Sequence, residues 1–193
     1  MTIHQENIDT FTNYFLLGMP DDEDNIYSQS VVYVCDHSDD GALGLILNKE
    51  IDLKMNDLFK KLDLEVSDKS VSSINKKNIL LGGSSEPERG FILHTVSEKQ
   101  YSSTINRTLS ITTSLDILED IAQGEGPDQF LMALGCANWA SGQLEQEMRE
   151  NAWIALPASM EIIFDTAPKE KYNKCLEILG IKPWQLSLFS GNS

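Results

Sequence analysis

Apolar residues in this chain come in short runs separated by turn signals, and that spacing constrains the fold more than any other feature. Val31-Val32-Tyr33-Val34-Cys35 is rich in β-branched residues and reads as a buried strand. Leu43 to Leu47 reads as a second, ending at Asn48, and Asp39-Asp40-Gly41 between them predicts a hairpin turn. Similar runs predict strands from Asn78 to Leu81, Gly90 to Thr95, Thr108 to Thr112, Phe130 to Leu134, Trp153 to Leu156 and Glu161 to Phe164, with another from Tyr14 to Leu17.

Helices interrupt these runs. Met55, Leu58, Phe59 and Leu62 recur at helical spacing. Ser114 can cap a helix through Leu115, Leu118 and Ile121 that stops at Gly124. Pro168 can open, and Gly180 close, a helix whose apolar stripe is Tyr172, Cys175, Leu176 and Leu179. A fourth is predicted from Gly142 to about Asn151. Hairpins mixed with helical crossovers point to a single α+β domain with a mixed sheet and about four helices. No linker divides the 193 residues; residues 1–12 read as a poorly ordered tail and Asp63 to Lys77 as a mobile internal loop.

The chain carries 30 acidic against 15 basic residues, a net charge of −15. Such a surface repels phosphate backbones, and the small groups Lys76-Lys77 and Lys169, Lys171, Lys174 lie near acids, so no direct nucleic-acid contact is expected. No apolar run approaches the roughly 20 residues of a membrane helix. Cys35, Cys136 and Cys175 are odd in number and widely spaced, which suits neither a zinc site nor a disulfide framework and fits a reduced, cytoplasmic protein.

The densest chemistry lies in Gly135-Cys136-Ala137-Asn138-Trp139-Ala140-Ser141-Gly142-Gln143-Leu144-Glu145-Gln146-Glu147. With Tyr14 to Pro20, Cys35-Asp36-His37, Gly41 to Asn48, Gly82-Gly83, Arg89 to His94, Asn151-Ala152-Trp153 and Leu179-Gly180-Ile181, it resembles the YqgE/AlgH family from about Asn13 to Leu188. The resemblance implies a bacterial cytosolic protein with a branched, curved, partly barrel-like sheet. Some members are called transcriptional regulators, without a known DNA-binding motif. Ser84-Ser85, Cys136 and Asn138 depart from the family's usual proline and apolar residue, tyrosine and glycine.

Several groups are candidates for chemistry, each beside a plainer role. On a regular strand Cys35 and His37 share a face with Cα atoms roughly 6.5 Å apart, so the imidazole could activate the thiol; the alternative is a buried thiol and a turn histidine. Gly82-Gly83 could expose amides to an anion or form a tight strand exit. His37 and His94 lack the spacing of metal ligands, and no metal or cofactor is expected. At roughly 100° per residue, Leu144 and Met148 share one helical face, Glu145 and Arg149 pair opposite, and Gln143 and Glu147 flank the apolar stripe. Glu147 is then a ligand or acid/base group, or one member of a buried hydrogen-bond network. Candidate catalytic residues are Cys35, His37 and Glu147. Candidate ligand-binding residues are Asn48, Gly82, Gly83, His94, Trp139, Gln143 and Glu147. The expected function is a regulatory or small-ligand-binding protein with a small-molecule or protein partner; the alternatives are a hydrolase or thiol-dependent enzyme, and a direct DNA binder.

Overall fold

Strand Tyr14–Gly18 (β1) sends Phe15 and Leu17 to one side and Leu16 to the other, and all three are fully buried. A strand covered on both faces has no polar alternation, which is why the runs are continuously apolar. The computed structural model describes residues 10–21, 25–75, 77–97, 99, 101 and 103–186. Its other strands are Val31–Ser38 (β2), Gly41–Ile46 (β3), Glu50–Lys54 (β4), Asn78–Leu81 (β5), Ser85–Thr95 (β6), Ser103–Thr104 (β7), Leu109–Thr112 (β8), Phe130–Ala140 (β9) and Trp153–Pro157 (β10). Its α-helices are Met55–Lys61 (α1), Val71–Ile74 (α2), Asp116–Gln123 (α3), Gln143–Arg149 (α4), Pro168–Ile178 (α5) and Pro183–Leu186 (α6), with a π-helical turn at Glu161–Asp165.

The strands form one mixed sheet in the order β10-β1-β2-β3-β9-β6-β8-β7, open at both ends. It branches at β9. Residues 137–140 of β9 pair with β3, while Ala133 and Leu134 pair in parallel with β5, which carries β4 on its other side. Gly135 stands between these halves with φ 72°. Ala133 and Cys136 face the same core although three residues apart, so left-handed Gly135 absorbs one extra residue, as in a β-bulge.

One face of the sheet is covered by the π-turn and α5, through Ile162, Ile163, Tyr172, Cys175 and Leu176. The opposite face of β1–β3 is covered by α4 through Leu144 and Met148. Beyond the branch, α1 and α3 cover Ile92, Phe130 and Met132. Pro168 occupies the first turn of α5, where its missing N–H costs nothing, and Gly124 closes α3 in the left-handed conformation.

The expected α+β domain with a mixed sheet is present, with corrections. Glu161 to Phe164 is a π-turn rather than a strand, because a short apolar run suits either. β9 continues past Leu134 to Ala140. The segment read as a mobile loop contains α2, with Ile74 fully buried. Residues 1–9 lie outside the described residues, but Phe11, read as part of the tail, packs into the core beneath α4.

Candidate functional site

The densest polar cluster is built where β9 hands over to α4. Gly142 (φ 72°) turns the chain, and the Ala140 N–H donates to Gln143 Oε1 at 2.9 Å. Leu144 and Met148 anchor α4, so Glu147 stands half-buried at the edge of the apolar face. Its carboxylate accepts three hydrogen bonds: from Trp139 Nε1 at 2.8 Å, from Trp153 Nε1 at 2.8 Å and from Gln143 Nε2 at 2.9 Å. The two indoles meet edge to face, with centroids 5.9 Å apart at 74°. Trp153 makes a similar contact with Tyr27 at 5.8 Å. The Tyr27 hydroxyl lies 3.0 Å from Ser84 Oγ and accepts the Ser84 N–H at 3.3 Å. One chain of contacts thus runs from α4 across β9 and β10 to the turn after β5.

The structure brings together Trp139, Gln143 and Glu147, with His37 beside them, and places the other candidates elsewhere. Val34 pairs with Gly44 and Asp36 with Leu43, so Cys35 is the extra residue of a bulge. That residue flips the subsequent alternation. Cys35 enters the core on the α5 side, whereas His37 pairs with Ala42 on the side of Trp139 and packs on Phe11 with ring centroids 5.5 Å apart. The regular-strand geometry expected for a Cys35–His37 pair is absent. Burial, with smaller effects from Cys136 and Asp36, pushes the Cys35 thiol up, away from the reactive thiolate.

His37 Nδ1 accepts the Phe11 N–H at 2.9 Å, and its Nε2–H donates to Glu145 Oε1 at 3.0 Å. Glu145 therefore pairs with His37 rather than with Arg149. Its own backbone amide, with the His37 imidazole and the more distant Arg149 charge, holds its carboxyl below the usual range.

Gly82 and Gly83 are buried against the branch in β9. A Cβ on Gly82 would lie 2.1 Å from the Gly135 carbonyl oxygen, and one on Gly83 would lie 2.1 Å from the Cys136 carbonyl carbon. Both positions require close backbone approach that a side chain would block. Asn48 accepts the Val31 N–H at 2.8 Å and donates to the Gln29 carbonyl at 2.9 Å, pinning the entry to β2. His94 is 2% exposed and donates Nδ1–H to the Thr95 carbonyl at 2.8 Å. Burial lowers its pKa, against the opposing effect of that bond.

Lys77, Lys171 and Trp153 are not among the site candidates expected from the sequence. Lys171 on α5 is 1% exposed. Its ammonium donates to the carbonyls of Ile162 and, at 2.7 Å, Ile163 in the π-turn. Burial brings its pKa down to about 8, with Cys175 and Asp165 acting in the opposite direction. The signal was available: at roughly 100° per residue, Lys171 lies about 40° from Cys175, within the apolar stripe of its helix. Lys77 donates to the Phe130 carbonyl at 2.9 Å and sits 4.4 Å over the Phe130 ring, with its pKa lowered by burial. Neither lysine forms an ion pair among the described residues. Both line one cleft of about 290 Å³ between β5, β9 and the π-turn, walled by Leu80, Leu131 and Ile163.

An open mixed sheet branched at a left-handed glycine, with one helix clamped by its carboxylate to two indoles, defines the class of α+β domain. The AlgH-like family pattern matches residues 15–184, and the chain belongs to that family. A UPF0301 protein of Thiobacillus denitrificans is 40% identical, over 97% of this chain and 100% of its own. One from Albidiferax ferrireducens is 43% identical, over 94% and 95%. The solution structure of AlgH from Pseudomonas aeruginosa is similar with a TM-score of 0.75 and 33% identity, covering 99% of this chain and 98% of that one. A crystal structure of a Corynebacterium diphtheriae protein shares the fold with a TM-score of 0.70 at 18% identity, covering 97% and 95%.

Proposed function

We propose that this protein binds a small ligand and works as a regulatory or ligand-binding protein rather than by direct contact with duplex DNA. The observation that carries this reading is the cleft holding buried Lys171 and half-buried Lys77, neither of which is hydrogen-bonded to a carboxylate among the described residues. A buried charge is expensive unless something compensates it. A perturbed ionisable group in a cleft is a recognised mark of a binding site. Glu147 supports the reading from the other side. Its two oxygens are engaged by three internal donors, so it acts as a fastening rather than as a free acid or base.

The test has two parts. A thermal-shift screen of chemically diverse metabolites on the purified protein should find at least one class that raises Tm in a dose-dependent manner. Fluorescence anisotropy with random-sequence duplex should show no sub-micromolar binding at physiological salt, the outcome that a net charge of −15 favours. A flat screen counts against ligand binding, and salt-sensitive duplex binding counts against the indirect route.

A further inference from the structure

We propose that the cleft between β5, β9 and the π-turn takes a short-chain monocarboxylate, with its carboxylate on Lys171 and Lys77 and its carbon chain on Leu80, Leu131 and Ile163. This rests on the ligand-binding reading above and names the chemistry of its ligand. Three observations converge. The first is charge: Lys171 is buried, yet its two hydrogen-bond acceptors are neutral carbonyls. Two of the three ammonium donors are engaged there, and an incoming carboxylate can take the third.

The second is shape. About 290 Å³ lies just below the roughly 300–1,000 Å³ of small-molecule sites, which suits a short acid better than a nucleotide. The third is the distribution of acids. Glu50 and Asp165 also line the cleft but are exposed, and each already accepts a neutral amide: Asn78 Nδ2 at 2.9 Å and Gln129 Nε2 at 3.1 Å. A buried Lys171, a half-buried Lys77 and acids at the rim admit one negative charge on an apolar body and repel a multiply charged anion such as phosphate.

The pH dependence follows. Lys171 faces Cys175 on its own helix and Asp165 on the π-turn, with Glu50 and Lys77 sharing its cleft. A carboxylate binds the ammonium, not the free amine, so affinity should fall as pH rises through about 8.

The experiment is calorimetric titration with sodium hexanoate, with hexan-1-ol and inorganic phosphate as comparison probes, at pH 7 and pH 9. We expect hexanoate to bind at pH 7 and about ten-fold more weakly at pH 9, and to outcompete both other probes. Lys171→Met and Lys77→Met should each weaken hexanoate at least ten-fold while far-ultraviolet circular dichroism stays unchanged. If Lys171→Met does not fold, Lys77→Met and the pH arm decide. Equal hexanoate affinity in wild type and variants overturns this site while leaving the broader ligand-binding reading intact. Hexan-1-ol or phosphate binding as tightly as hexanoate overturns the ligand class. No hexanoate binding at millimolar concentration overturns the proposal, and only a flat metabolite screen would take the broader reading with it.

Discussion

Glu147 and Lys171 set the same problem in opposite sign, and the protein treats them differently. The Glu147 carboxylate sits half-buried under charge-assisted hydrogen bonds from two indoles and an amide, drawn from β9, β10 and its own helix. The Lys171 ammonium is sealed off more completely, yet its hydrogen-bond partners are two backbone carbonyls of one turn. The first arrangement fills the acceptor and fixes three elements relative to one another. The second leaves the cation hydrogen-bonded to neutral groups alone, with Asp165 acting on it only at longer range. Reactive-looking residues in a dense motif can therefore be fastenings, while a lysine in a plain amphipathic helix can be the unusual group.

The largest expected effect is on Glu147→Ala. It strands two nearly buried indole N–H donors, at about 1–3 kcal/mol each, so urea denaturation should show a loss of about 3 kcal/mol. Glu147→Gln keeps one acceptor oxygen and should lose about 1 kcal/mol. An unchanged midpoint in both variants would make Glu147 an ordinary solvated acid and erase the contrast.

Next is the pH response of Lys171→Met. The native ammonium titrates at about 8 and the unfolded one at an ordinary 10.5, so between these values the unfolded chain binds more protons. Native stability therefore gains from this group as pH rises through that window and is lowest below it. Relative to Lys171→Met, the wild type should gain about 3 kcal/mol between pH 8 and 10.5. Parallel stability curves would show that Lys171 is better compensated than its two carbonyls suggest.

A smaller effect is expected at His94, where burial also disfavours the charged form. The sign is the same: the unfolded chain takes up the proton first, so stability falls as pH drops through about 6.5. His94→Gln should flatten the slope between pH 7 and 5.5, and equal slopes would remove His94 as a buried titrating group. The smallest effect should be none. With Cys35 buried on the α5 side, His37→Ala should leave its iodoacetamide labelling rate unchanged; slower labelling would restore a thiol–imidazole coupling.

Much of this was legible in the sequence, for identifiable reasons. Gln143 and Glu147 meet because i,i+4 residues are neighbours on a helix, a local rule. Trp153 joins them only because β10 returns beside β1, a tertiary fact with no local signal. The strand rule placed Cys35 and His37 on one face and was defeated by one bulged residue. Glu161 to Phe164 could be strand or helix by pattern, and the Lys171 ammonium on two of its carbonyls stabilises the turn. The importance of Lys77 depends on a ring and a carbonyl supplied by Phe130, far along the chain.

The branch at β9 also bears on how the protein comes off the ribosome. β3, β5 and β6 all precede β9, yet each forms ladder pairs with it. Until residues 130–140 emerge, those three strands lack their shared neighbour and expose unpaired backbone edges. At about 5–20 residues per second, that interval lasts seconds, long compared with hairpin formation. The sheet is therefore assembled late, around its ninth strand, and the nascent chain is most open to mispairing just before Phe130 appears.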